Sequence, residues 1–386
     1  KRARKRRLQS APTGRMGLFR SSSRDSGSDS KSSTTRAGPA TPGQVTPATS
    51  GPATPSTSSA DSVVDNEASM AAVDSEILSS SSARLRAECA ALGWEAGALE
   101  VPAAGRTPFA DFRQHAKLAS GEFCDVSAAV FRGSDGLTFR VGVKVLKAGR
   151  QVTEIAVSDL RREAAVLARL RHPHVVCLVA FGEHPNGMPF YAMELFEATL
   201  SAVLPRKPKE AKAWPVERGV GVAVQVARAL RYCHNDALPG YRILHRDIKP
   251  GNIGLAAGGR VVLADFGLLK LWKRGGEAED TPRALTGMTG ALRYMAPEVA
   301  LSQPYNHKAE VFSFTSLLYQ LLAHQKPFAW MNAEQFLAEV CRGGTRCPLG
   351  KAWPAELRAL ITAGWAADAE SRPDIGKVAE SLEELA

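Results

Sequence analysis

The run HRDIKPGN at residues 245–252 and the run DFG at residues 265–267 carry more information than any other part of this sequence. Each run brings carboxylate or amide oxygens together. Such oxygens suit phosphate chemistry, because magnesium prefers one or two carboxylates completed by the phosphates of a substrate. Phosphoryl transfer also needs a base near the accepting hydroxyl and a cation near the phosphates. The residue types therefore predict Asp247 as the base, Lys249 as the cation, and Asn252 with Asp265 as the metal ligands.

These two runs resemble the catalytic loop and the metal-binding loop of eukaryotic protein kinases. Further motifs follow the order of that family across about residues 112–386. They are Val141-Gly142-Val143-Lys144, Glu163, Ala296-Pro297-Glu298, and Arg372-Pro373 after Trp365. The sequence YMAPEV at residues 294–299 and the later Trp…Arg-Pro pattern are similar to those of the tyrosine-kinase-like group. Lys249, two residues after the aspartate, resembles the Ser/Thr-specific branch.

The resemblance implies an α+β, bilobal fold. It consists of a small β-rich N-lobe at residues 112–194 and a larger helical C-lobe at residues 197–386. The hydrophobic pattern agrees with this fold. It predicts strands at 123–131, 139–146, 175–182 and 189–195, a helix at 158–170, and mostly helices after about residue 218.

The N-terminal segment has a different composition. Residues 1–75 are rich in Ser, Thr, Pro, Ala and Gly, so they cannot bury enough apolar surface to offset the entropy of ordering, and we expect a disordered tail. Residues 76–111 are expected to be a linker with a short helix. Residues 1–60 hold eleven Lys/Arg and two Asp/Glu of a chain with net charge +10. The basic balance therefore belongs to the tail, and we expect no nucleic-acid partner for the folded domain.

Cysteine usage favours a reducing compartment. The six cysteines form no CxxC pair, so a disulfide framework is not expected and an intracellular location, cytoplasmic or nuclear, fits. The basic run at residues 1–7 is consistent with a nuclear localisation patch or with a solvated charge run. The sequence contains no stretch of 18 apolar residues, so no membrane span is predicted.

Lys144 and Glu163 explain each other as a pair. Lys144 lies between Val143 and Val145 in an alternating strand pattern, so its side chain shares a face with Gly142. Glu163 has apolar residues at i−3 and i+4, so its carboxylate lies on the inward stripe of its helix. The resemblance implies that this pair positions the α- and β-phosphates of a nucleotide.

The resemblance also implies ATP and Mg²⁺ as cofactors and a protein as the substrate. The segment at residues 193–196 resembles the linker whose backbone bonds adenine, with Met193 as the gatekeeper. The predicted ATP-binding residues are Gly121, Val126, Lys144, Glu163, Met193, Glu194 and Phe196.

The glycine-rich loop departs from the family's pattern. Residues 119–124 read ASGEFC, so Ala119 and Cys124 replace glycines and Gly121 alone remains. Glycine lets backbone approach phosphate closely, so phosphate clamping is expected to be weaker. Because Cys124 lies beside a phosphate site with Lys144 in reach, we expect it to be the most reactive of the six thiols.

The adenine pocket departs as well. By the family's pattern, residues 142 and 254 pack on opposite faces of adenine and are usually Ala and a large aliphatic residue. Both are glycine here. We therefore expect a loose pocket and weak ATP binding, unless a neighbour such as Leu255 fills the space.

Two further positions differ from the family. Ala291 stands where Ser/Thr kinases usually carry a hydroxyl that bonds the catalytic Asp and Lys, which weakens the Ser/Thr assignment. Glu310 stands where an aspartate usually anchors the catalytic loop, so a shifted or water-bridged anchor is expected.

The sequence as a whole favours an active ATP- and magnesium-dependent protein kinase acting on Ser/Thr hydroxyls. One alternative is a pseudokinase that scaffolds partners, which the degraded loop favours and the complete set of charged motif residues disfavours. The other is a small-molecule kinase of related fold, which the residues Ala296-Pro297-Glu298 and Arg372 disfavour.

Overall fold

The computed structural model describes residues 106–121, 123–133, 136–147, 154–206, 208–275 and 279–386. The predicted tail and the predicted short helix of the linker lie outside these residues. The described part of the chain has the two predicted components, a lobe built on a β-sheet and a larger lobe built mainly on helices. Among these residues, no helix is long and apolar enough to cross a membrane.

The N-lobe is a five-stranded antiparallel sheet with the strand order β1-β2-β3-β5-β4. Its strands are β1 (Phe112–Ser120), β2 (Cys124–Arg132), β3 (Thr138–Leu146), β4 (Leu178–Glu183) and β5 (Pro189–Glu194). Helix α1 (Glu154–Leu167) lies between β3 and β4 in the chain. The strands predicted at 123–131 and 139–146 correspond to β2 and β3, which pair with each other. The predicted helix begins earlier and ends earlier than expected.

The alternation in β3 separates core residues from cleft residues. Val141 and Val143 are fully buried and pack with Phe131 and Phe190 in a cluster on one face of the sheet. Successive side chains of a strand point to opposite faces. Lys144 therefore projects from the other face, toward α1.

The C-lobe is organised around four longer helices, α2 (Val216–Arg231), α3 (Lys308–Ala323), α4 (Ala355–Gly364) and α5 (Ile375–Glu384). Helix α3 is buried on nearly all sides, which is typical of a central helix. Helix α2 packs against both α3 and α5. Shorter helical segments are Leu200–Val203, Pro208–Ala211, Pro297–Ala300 and Ala333–Gln335, with π-helical turns at Tyr232–Asp236 and Phe336–Arg342.

Short strands place the two diagnostic runs. Strands β6 (Ala198–Thr199), β8 (Ile253–Leu255) and β9 (Val261–Leu263) form one small sheet, and β7 (Tyr241–Leu244) pairs with β10 (Lys270–Lys273). The run 245–252 therefore connects β7 to β8, and the run 265–267 follows β9. Because β8 and β9 are adjacent and antiparallel, both runs emerge on the same side of the C-lobe.

Candidate active site

Lys144 and Glu163 meet in the N-lobe as the sequence predicts. Lys144 Nζ lies 3.1 Å from Glu163 Oε1 and 2.9 Å from Oε2. Tyr191 Oη donates a 2.9 Å hydrogen bond to the same carboxylate. Glu163 is only 1% exposed, and a charge buried to this extent needs such partners.

Asp265 brings a second carboxylate to the same lysine. Its Oδ1 lies 2.9 Å from Lys144 Nζ, and its side chain is 49% exposed. The attraction of the Lys144 ammonium lowers the pKa of Asp265 to about 2. Burial lowers the pKa of Lys144, but the negative charge of Glu163 and then Asp265 outweighs it and raises that pKa. Burial raises the pKa of Glu163, and the adjacent Lys144 ammonium opposes that shift.

Phe266, which follows Asp265 in the chain, fixes the direction of the Asp265 side chain. Phe266 is fully buried and its ring lies edge-on against His245, with centroids 4.7 Å apart. Asp265 has a φ of +63°, which is rarely adopted by residues other than glycine and costs about 1–3 kcal/mol. The buried Phe266 keeps the turn in place and leaves Asp265 facing Lys144.

Asp247 is held by three groups in the catalytic loop. Its Oδ2 accepts hydrogen bonds from Lys249 Nζ at 2.6 Å and from Asn252 Nδ2 at 2.9 Å. Its Oδ1 accepts a 2.9 Å bond from the backbone N–H of Ala291. The missing hydroxyl at position 291 is thus replaced by a backbone donor, which has no side-chain signature in the sequence.

Glu310 anchors the catalytic loop directly. Its Oε1 accepts the backbone N–H of Arg246 at 2.6 Å, and its Oε2 accepts His234 Nε2 at 2.6 Å. The expectation of a water-bridged anchor is therefore wrong, because the Glu310 carboxylate contacts both donors directly. Burial raises the pKa of Glu310, but the hydrogen bonds from His234 and Arg246 outweigh it and lower the pKa.

The donor set fits a magnesium ion completed by phosphates. Asn252 uses its amide nitrogen on Asp247, which orients its Oδ1 away from that residue. Asp265 uses Oδ1 on Lys144. Within the described residues, no hydrogen bond is made to Asn252 Oδ1 or Asp265 Oδ2. Two such oxygens are what magnesium takes from a protein when a nucleotide supplies the rest.

The comparison with protein families agrees with this geometry. Residues 112–382 match the model of the family described as protein tyrosine and serine/threonine kinase. The chain belongs to the protein kinase family. Its relatives include kinases of the tyrosine-kinase-like type, and the chain is of that type.

Three curated relatives illustrate the similarity. The serine/threonine-protein kinase VIK from Arabidopsis thaliana is 32% identical over 277 residues, which are 71% of this chain and 60% of that protein. Serine/threonine-protein kinase 12 from Arabidopsis thaliana is 32% identical over 279 residues, 71% of this chain and 56% of that protein. The serine/threonine-protein kinase TNNI3K from Rattus norvegicus is 30% identical over 281 residues, 70% of this chain and 32% of that protein. This kinase thus spans between 32% and 60% of the lengths of these relatives.

The segment after β5 lies where the resemblance puts the adenine linker. Met193 is buried, and its side chain lies beside Gly142. Glu194 directs its carboxylate away from the cleft, since Oε1 accepts the N–H of Cys177 at 2.9 Å and Oε2 pairs with Arg260. The backbone N–H of Glu194 donates to Cys177 O at 2.9 Å, so the side chain and the N–H of Glu194 both contact Cys177.

The loop that replaces the glycine-rich loop is a short hairpin between β1 and β2. The N–H of Gly121 donates to Cys124 O at 2.8 Å, and Val126 lies opposite Lys144 in the β2–β3 register. Burial raises the pKa of the Cys124 thiol to about 11, although Lys144 opposes this effect. The pKa values of Cys341 and Cys347 are also raised to about 11 by burial. Burial thus favours the neutral thiol at all three cysteines, and the expected reactivity of Cys124 stays a prediction.

The expectation of two open pocket walls is wrong at one wall. A Cβ on Gly142 would lie 3.5 Å from Met193 Cε, an ordinary contact, so that wall has room for a methyl group. A Cβ on Gly254 would lie 2.5 Å from Phe196 Cγ. Phe196, rather than Leu255, occupies that space. The sequence alone gave no signal for this contact, because it depends on how the chain turns after β5.

The segment Ala296-Pro297-Glu298 is fixed to the C-lobe by a buried arginine. Arg372 NH1 lies 2.6 Å from Glu298 Oε1 and NH2 lies 2.9 Å from Oε2, which is a bidentate pair. The side chain of Arg372 is fully buried. A buried ion pair therefore joins these two motifs.

Proposed function

We propose that this chain is the catalytic domain of a serine/threonine protein kinase, which transfers the γ-phosphoryl group of ATP to hydroxyl groups of protein substrates. The observation that carries the proposal is the setting of Asp247, whose carboxylate is fixed by Lys249, Asn252 and the N–H of Ala291. Such a carboxylate is positioned to accept a proton from a substrate hydroxyl.

The other charged residues divide the phosphate-binding work. Lys249 lies 2.6 Å from the base, so its ammonium is in reach of the phosphoryl group that approaches the substrate hydroxyl. Lys144, oriented by Glu163, binds the α- and β-phosphates. Asn252 and Asp265 would hold magnesium, which would supply positive charge beside the phosphates. The ammonium groups of Lys249 and Lys144 and the metal ion would thus place positive charge where negative charge develops on the phosphates.

The bidentate pair between Arg372 and Glu298 favours a protein substrate over a small molecule. It fixes the segment that begins at Ala296, next to the loop that contacts Asp247 through Ala291. A rigid surface beside the base can support an extended peptide. The Ser/Thr preference rests on Lys249 and on the similarity to serine/threonine-protein kinases.

A pseudokinase is the second candidate, and the loop at residues 119–124 favours it. Ala119 and Cys124 stand at positions where the family carries glycine. Their Cβ atoms keep the backbone farther from phosphates. The protein would then bind partners without transferring phosphate.

A transfer assay separates these functions. The purified chain is incubated with radiolabelled ATP, Mg²⁺ and a generic protein substrate, beside the variants Asp247→Asn and Asp111→Asn. Asp111 is an exposed carboxylate outside the cleft and serves as the matched control. We expect Asp247→Asn to lose about 10²- to 10⁴-fold of the rate, the usual contribution of a general base. Phosphoamino acid analysis of the product should yield phosphoserine or phosphothreonine.

Each other outcome points to a different conclusion. A parent chain that binds ATP but transfers nothing to protein indicates the pseudokinase or a small-molecule kinase. Transfer by Asp247→Asn at the parent rate removes Asp247 from the role of base. Labelled tyrosine alone contradicts the Ser/Thr assignment.

A further inference from the structure

The ring of Phe196 occupies the volume of the side chain that Gly254 lacks. A Cβ on Gly254 would lie 2.5, 2.6 and 2.8 Å from Cγ, Cδ1 and Cδ2 of that ring. Gly254 lies in β8, where it pairs with Val262 and Thr199, and its φ is not positive. Its φ therefore does not require a glycine, and the contact with the ring is what excludes a side chain.

The two glycines of the pocket are not equivalent. At Gly142 an added Cβ would meet Met193 at 3.5 and 3.6 Å and Leu195 at 3.9 Å, which are ordinary contacts. At Gly254 any side chain would overlap Phe196. One wall is thus open and the opposite wall is already built, but from a residue of the linker instead of a residue of β8.

Phe196 combines partial burial with an accessible surface. It packs against the main hydrophobic core and is only half-buried. A flat aromatic ring offers a π-face to a nucleobase, and stacking of this kind is favourable for every base. An aliphatic side chain at position 254 would supply apolar contact without such a face.

We propose that Phe196 and Gly254 form a matched pair that is the floor of the nucleotide site, with the adenine of ATP stacked on the Phe196 ring. Phe196 then contributes to nucleotide selection through its side chain, in addition to the backbone role of the linker. This inference rests on the proposed function, because it requires that the cleft binds ATP.

Direct binding measurements test the floor. The affinity of MgATP is measured by isothermal titration for the parent, Phe196→Ala, Gly254→Leu and the double variant Phe196→Ala/Gly254→Leu. Loss of one stacked base weakens binding by about 5- to 150-fold, and this is the range expected for Phe196→Ala. Gly254→Leu should weaken binding and lower the melting temperature, because the leucine and the ring compete for one space. The double variant should regain the melting temperature and most of the affinity.

Two controls separate the base from the phosphates and from general effects. Binding of Mg²⁺-tripolyphosphate, which has no base, should change less than twofold in Phe196→Ala. Trp330, an exposed aromatic residue that is 55% accessible, supplies the matched variant Trp330→Ala, which should bind MgATP like the parent.

Three outcomes would overturn the inference. Unchanged or tighter ATP binding by Phe196→Ala means that the ring does not stack on the base or obstructs it, while transfer activity of the parent keeps the proposed function intact. Additive effects of the two substitutions would show that the residues are not a pair. A parent chain that binds no nucleotide overturns both the floor and the proposed function.

Discussion

Replacing Glu310 with glutamine tests how this kinase holds its catalytic loop. Glu310 accepts hydrogen bonds from the backbone N–H of Arg246 and from His234. Arg246 has a φ of +65°, a strained conformation that costs about 1–3 kcal/mol unless its surroundings hold it. Arg246 directly precedes Asp247. The Glu310 carboxylate therefore stabilises the strained residue next to the proposed base.

The magnitude follows from the two contacts. A glutamine can still accept the N–H of Arg246, but its amide group would face His234 Nε2 with donor against donor. His234 would have to move its proton to Nδ1, which is buried without a hydrogen-bond partner among the described residues. A hydrogen bond to a charged group contributes about 1.5–3 kcal/mol. We expect Glu310→Gln to lose about 2–4 kcal/mol of stability, which a domain of ordinary stability survives.

The effect on catalysis should exceed the effect on binding. A displacement of about 1 Å at a reacting group can cost about 10²-fold in rate, so kcat should fall about 10- to 100-fold. The KM for ATP should stay within about twofold, because Glu310 contacts neither Lys144 nor the adenine linker. Glu310→Asp keeps the charge but reaches only one donor, and its kcat should be intermediate.

The assay combines urea unfolding with initial rates at varied ATP. Glu380→Gln, an exposed glutamate of α5, is the matched control and should behave like the parent. A kcat of Glu310→Gln within twofold of the parent would falsify the anchoring argument. A rise in the KM for ATP with an unchanged kcat would also contradict it, since the contact would then act on nucleotide binding.

Two other predictions concern Gly142 and His307. Gly142→Ala adds a methyl group 3.5 Å from Met193 Cε. Because one buried methyl contributes about 0.8 kcal/mol, ATP should bind about fourfold tighter in isothermal titration. Equal or weaker binding would mean that this wall does not face the base. Burial lowers the pKa of His307 to about 4, so between pH 6.5 and 4 the unfolded chain binds a proton that the folded chain does not, and the free energy of unfolding should fall by up to about 3 kcal/mol over that range. His307→Gln should flatten this slope in urea titrations, and an unchanged slope would assign it to other groups.

Local patterns predicted the parts of the site that depend on periodicity. The alternation of Val141, Val143 and Lys144 placed the lysine on the face opposite the apolar cluster, and the helical spacing around Glu163 turned its carboxylate inward. Both inferences use only the periodicity of side-chain direction, which is 2 residues in a strand and about 3.6 residues in a helix. The fold class was predictable for a different reason, because the motifs occur in the order found in the protein kinase family, whose fold the resemblance implies.

The contacts that the sequence did not predict join residues whose proximity is created by tertiary structure. Ala291 bonds Asp247 through its backbone, and a backbone donor has no signature in a sequence. His234 meets Glu310 because α3 crosses the end of α2. Phe196 reaches Gly254 because the chain turns after β5 and pairs β6 with β8.

Three departures from the family's pattern are compensated by different means. The hydroxyl missing at Ala291 is replaced by a backbone N–H, the longer Glu310 reaches two donors instead of losing one, and the side chain missing at Gly254 is replaced by an aromatic ring. In the first two cases the same position makes the contact through a different group, and at Gly254 a residue of the linker takes the place of the missing side chain. The loop at Ala119–Cys124 has no such replacement among the described residues. Weak phosphate clamping by this loop, rather than a defect at Asp247 or in the adenine floor, is therefore the feature expected to limit the activity of this kinase.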